Sequence, residues 1–117
     1  MKKKRLSIEE HWWQMLSNGN RDIDRVELRA MIWMARDEKV RDKAAKRLLA
    51  LVEKSDNPEN KEDIKLIILW SSRMREYLWK KWRGVFTDDD LLFLWEWCKP
   101  LRRKITMFNP KIFTEKN

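Results

Sequence analysis

Two basic stretches hold the residues best suited to chemistry. In RMREYLWKKWR, Arg73, Lys80, Lys81 and Arg83 surround Trp79; in KPLRRK, Lys99, Arg102, Arg103 and Lys104 follow a second aromatic run. Lysine and arginine neutralise phosphate, and an exposed indole offers a face on which a base can stack. Cations interleaved with rings are the composition expected of a surface for unpaired DNA or RNA. The competing explanation is structural: tryptophan commonly fills a small core, and charged runs commonly coat a solvated helix.

The chain has 8 tryptophans in 117 residues, so the two explanations must be divided among them. Trp33, Trp70, Trp82 and Trp95 stand in apolar surroundings at helical spacing and are expected in the core, together with Ile64, Ile67, Ile68 and Leu92. Trp12 and Trp13 lie about 100° apart on a helix and cannot both face one core. Trp79 falls beside Ser72, Glu76 and Arg83, off the apolar stripe. Trp13 and Trp79 are therefore expected to be exposed, with Trp79 as the stacking residue.

Catalysis finds little support. His11 is the only histidine, and no His/Cys set can build a zinc site. Cys98 sits in an apolar run without a nearby histidine, the setting of an inert thiol. Asp88, Asp89 and Asp90 follow Thr87 and suit the first turn of a helix better than a magnesium site. There is no glycine-rich phosphate loop. No catalytic residue, metal or cofactor is expected.

The elements that must position these residues are helices. Two glycines and three prolines are too few for the turns of an all-β chain. Ser7 and Glu10 form a capping box for a first helix, and Asn18-Gly19 ends it. Asn20 can cap a second helix over 21–36, with Ile23, Val26, Ala30, Trp33 and Met34 as its apolar stripe. A third runs over 40–54 on Val40, Ala44, Ala45, Leu48, Leu51 and Val52. After the polar linker 55–60, a central helix is expected over 60–83, capped by Asn60 with Asp63 and ended near Gly84. Thr87 caps a fifth helix whose run LLFLWEWCK is apolar almost all round, so it must be buried or lie in an interface.

DEKVRDKAAKRLLALVE, with its Val-Arg, Ala-Ala and Leu-Leu pairs, resembles the turn and second helix of a HEAT-type hairpin. The resemblance covers 21–54 and implies a local antiparallel helix pair. Trp13-x-x-Leu16-x-x-Gly19 followed by Leu28-Arg29 is similar to the opening of the small helical subunits of CRISPR Cascade complexes. Those subunits are basic and line a displaced DNA strand, which implies a non-catalytic role on nucleic acid.

The net charge is +8, and residues 99–117 hold six bases against one acid. Such an excess speaks to polyanionic partners. The single cysteine fits a reducing cytoplasm, and no apolar run reaches the roughly 18 residues of a membrane span. The expected protein is all-α: a compact bundle of about five helices, forming one domain over 7–110, with a flexible basic lead at 1–6 and a tail at 111–117. The expected function is non-catalytic binding of single-stranded or unpaired nucleic acid within a replication, defence or mobile-element assembly. Arg73, Lys80, Lys81, Arg83, Lys99, Arg102, Arg103 and Lys104 would contact phosphate. The alternative is an adaptor or inhibitor that docks an acidic protein partner.

Overall fold

The computed structural model describes residues 7–19 and 22–114. Among these, 78% are helical and none lies in a strand. The α-helices are α1 (Ile8–Ser17), α2 (Arg25–Met34), α3 (Glu38–Lys54), α4 (Asn60–Trp70), α5 (Ser72–Trp82), α6 (Asp88–Trp97), α7 (Arg102–Phe108) and α8 (Lys111–Thr114), with a 3₁₀ turn at Lys99–Leu101 before α7. The expected lead at 1–6 and the cap at Asn20 fall outside the described residues.

Reciprocal capping boxes start three of the helices, and Asp37, accepting from the Lys39 amide, caps α3. Ser7 accepts from the Glu10 amide while Glu10 accepts from the Ser7 amide, and Thr87 and Asp90 repeat the arrangement at α6. Asp24 and Glu27 form a third box, so α2 begins at Arg25 and not at 21. No described glycine has positive φ; α1 ends instead at Asn18 in an extended conformation.

Helices α2 and α3 form the antiparallel pair implied by the hairpin resemblance. The Arg25 guanidinium at the start of α2 donates to the Leu51 carbonyl near the end of α3, while Arg41 at the start of α3 donates to the Ala35 carbonyl just past α2. α3 buries Val40, Ala44, Ala45, Leu48 and Val52 of the stripe read from the sequence, and its remaining member, Leu51, is partly buried against the core. α2 turns the other way. Leu28, Met31, Ile32 and Ala35 are buried; of the expected stripe Ile23, just before the helix, is buried and Ala30 half-buried, whereas Val26, Trp33 and Met34 are exposed.

The expected central helix is two helices. The chain breaks at Ser71, which is extended (φ −110°, ψ 100°) and wholly buried. Its hydroxyl donates to Asp42 at 3.0 Å, and Arg75 donates to the carbonyls of Ile68 and Leu69 at 2.7 and 3.1 Å. These bonds satisfy carbonyls that a continuous helix would have used. α4 keeps the central position, packing against α2, α3, α5 and α6 with Ile64, Ile67 and Ile68 fully buried. Asn60 does not cap it. Its amide donates to the Val52 and Ser55 carbonyls and so closes the end of α3.

Two charged clusters tie α4 to its neighbours. Asp63, 1% exposed, accepts from Arg25 and Arg29 of α2. Asp90 of α6 accepts from Lys61 at 2.9 Å and Lys65 at 2.7 Å. Burial opposes ionisation of Asp90, but hydrogen bonds from Lys65, the Thr87 amide and Lys61 outweigh it and hold the carboxyl well below its ordinary pKa. A depressed folded-state pKa stabilises the fold fully above the unfolded value, about pH 4, and that contribution is lost as pH falls from there through the folded value. Asp90→Asn should therefore flatten the acid limb of stability against pH. An acid limb of wild-type steepness in urea titrations of the variant would contradict this role.

The C-terminal segment docks. Ile112 packs against the core, and the Phe113 ring lies 5.1 Å from Trp95. Residues 111–114 form the short helix α8, and the remaining residues of the expected tail, 115–117, lie outside the described residues.

Candidate nucleic-acid interface

The two basic stretches meet where the end of α5 lies beside α7. Lys80, Arg83, Lys104, Met107 and Phe108, with Trp79 beneath them, line an open cavity of about 460 Å³. Helical spacing accounts for the grouping. Lys80 and Arg83 are three residues apart at the end of α5, and Lys104 and Phe108 are four apart on α7, so each pair shares a face. Arg103 stands one turn before Met107 on α7 and is also exposed.

Trp79 does not stack with solvent-borne groups. It is 2% exposed, edge-on to Phe108 at 5.6 Å and tilted against Phe86 at 6.4 Å. The break at Ser71 changes the phase of the chain. α5 therefore follows its own stripe, on which Leu78 and Trp79 point inward. The exposed ring of this groove is Phe108, 42% accessible, with the Arg83 guanidinium 5.2 Å from its centroid. A planar cation over a ring is a stable seat for a side chain that still presents donors to an anion. Lys104 pairs with Glu76, so an incoming phosphate competes with one carboxylate there.

The other residues expected at the interface are dispersed. Arg102 is committed to the fold: it donates to the Trp95 and Glu96 carbonyls at 2.7 and 3.0 Å, with its guanidinium 4.6 Å from the Trp95 ring. Lys81 turns toward α3, bonded to Glu53 and the Tyr77 hydroxyl. Arg73 is exposed beside Asp42 at 3.4 Å. Lys99 is exposed on the 3₁₀ turn and does not line the groove. Trp13 is partly exposed, as expected, beneath the Lys43 ammonium at 4.8 Å.

The sequence reading missed a second aromatic surface. Trp33, Trp70, Phe93 and Trp97, expected in the core or left unassigned, are all partly exposed around a cavity of about 520 Å³. The one sequence signal for it is the all-round apolar character of α6, which carries Phe93 and Trp97 one turn apart.

Fold and groove together define an all-helical protein with a cationic, ring-bearing cleft. Among the described residues no group of three or more His, Cys, Asp or Glu is placed to hold a metal, and no helix is long and apolar enough to cross a membrane. Comparison with protein-family models, with curated proteins and with solved structures finds no match to this chain.

Proposed function

We propose that this protein binds nucleic acid, single-stranded or unpaired, without catalysing a reaction on it, as one component of a replication, defence or mobile-element assembly. The observation that carries this reading is the convergence of Lys80 and Arg83 with Lys104, which is distant from them in sequence, around the accessible Phe108 ring. Three cations in one cleft supply phosphate contacts, and a ring with a flat guanidinium beside it suits an unstacked base. The net charge of +8 adds long-range attraction to any polyanion.

The test is binding of fluorescent single- and double-stranded DNA and RNA across a salt series. Lys80→Glu with Arg83→Glu should weaken binding to all sequences alike. It should also lower the slope of log affinity against log salt by about 0.7–0.9 for each contact removed. Both positions are exposed, so the variant should keep its helical spectrum. Polyglutamate serves as a polyanion without bases. Equal affinity for polyglutamate and oligonucleotide would move the groove to an acidic protein partner. An unchanged affinity in the double variant would remove the groove from binding altogether.

A further inference from the structure

We propose that the aromatic face built by α2, α4 and α6 binds the same face of a second copy of this chain. Trp33 of α2 and Trp97 of α6 are 61% and 68% exposed, and they stand around a hollow floored by Leu66, Leu69 and Trp70 with Phe93. Single exposed apolar residues are ordinary, but two open indoles beside Trp70 and Phe93 around one hollow make a contiguous apolar patch, the mark of an interaction surface. By their exposures, the four rings leave about 500 Å² of surface open, and two copies closing over them would bury about 1,000 Å², the threshold of a specific interface.

The surface also has the form that two-fold pairing requires. An isologous contact needs one patch complementary to itself. Here projecting indoles and a cavity of about 520 Å³ that can receive a ring occupy the same patch.

Charge argues against nucleic acid at this face. Three cations at its border are already engaged by the fold. Arg29 is bonded to Asp63 and Glu59, Lys65 to Asp90 and Glu62, and Arg41, 5.8 Å from the Trp70 ring, donates to the Ala35 carbonyl. Phosphate would meet the Glu59 and Glu62 carboxylates there. The same local neutrality lets two copies of a strongly basic chain approach without concentrating like charge at the contact. Lys80, Arg83 and Lys104 lie on other elements, so pairing leaves both basic grooves uncovered.

Sedimentation equilibrium up to about 100 μM, above the micromolar range of the weaker interfaces of ordinary size, tests the proposal. The full chain should sediment at twice its 14.5 kDa mass. Trp33→Lys and Trp97→Lys should each raise the dimer dissociation constant about thirtyfold or more, the effect of losing an aromatic anchor. Val85→Lys, at an exposed apolar residue outside both the face and the groove, should leave it unchanged. Far-ultraviolet spectra establish that each variant is folded. A wild-type protein that stays at 14.5 kDa at the highest concentration would overturn the proposal, as would a dimer indifferent to both tryptophan substitutions. A monomer whose Trp97→Lys variant loses oligonucleotide affinity would assign the face to nucleic acid instead.

Discussion

Trp79→Ala should destabilise the protein by about 3–5 kcal/mol, the cost of deleting a large aromatic from a packed core. The indole is 2% exposed and holds together three segments: its own helix α5, Phe86 in the following turn and Phe108 at the end of α7. Removing it leaves a void that Leu78 and Ile105, both fully buried, cannot fill without leaving their own contacts. The void would lie directly beneath the basic groove, so Phe108 and the Arg83 seat above it should loosen as well. Urea denaturation of the wild type and variant, with the slope checked for constancy, measures the effect. A change under about 1 kcal/mol would mean that the indole is not a core residue. Any loss of nucleic-acid affinity in this variant would report on the fold first, which is why the charge reversals at Lys80 and Arg83 are the cleaner probes of binding.

Asp63→Ala should be similarly costly, at about 3–5 kcal/mol, because it strips the shared anion from two partly buried guanidinium groups. Arg25 donates to Oδ2 and Arg29 to Oδ1, each at 2.5 Å, and Arg29 also reaches Oδ2 at 3.3 Å. Without Asp63, Arg29 keeps the more exposed Glu59, and Arg25 keeps only the Leu51 carbonyl and the Ser55 hydroxyl. Hydrogen bonding to Asp63 is also the chief reason that the Arg29 pKa is raised. Asp63→Asn preserves the shape and one acceptor and should cost less. Because the cluster is screened from solvent, raising the salt concentration should recover little of the loss. Chemical denaturation at low and high salt measures both quantities. A deficit that disappears at high salt would make the cluster a surface network, which its burial contradicts.

Local chemistry determined much of the helical framework from sequence alone. Ser7 with Glu10 and Thr87 with Asp90 are short-range devices, complete within four residues, and both form as the residue types require. The α3 stripe was legible because Val40, Ala44, Ala45, Leu48, Leu51 and Val52 recur at helical spacing; all are buried except Leu51, which packs partly buried against the core. Helical class followed from periodicity and from the scarcity of glycine and proline. The meeting of the two basic stretches was half visible. Their composition was plain, but their adjacency depends on how α7 folds back beside α5.

Tertiary structure alone decided which apolar face goes inward. α2 and the Ala35 that ends it carry two stripes at helical spacing, one with Val26, Trp33 and Met34 and one with Leu28, Met31, Ile32 and Ala35. Periodicity admits either, and packing against α3 and α4 selected the second. The break at Ser71 had no glycine or proline to announce it. It exists because Asp42 and Arg75, far and near in sequence, supply the hydrogen bonds that a continuous helix would have supplied. That break inverted the tryptophans, placing Trp79 in the core while Trp70 lines the aromatic hollow. An indole is apolar enough to be buried and amphipathic enough to be tolerated in water. Its residue type therefore leaves its burial open, and only the placement of neighbouring helices settles it.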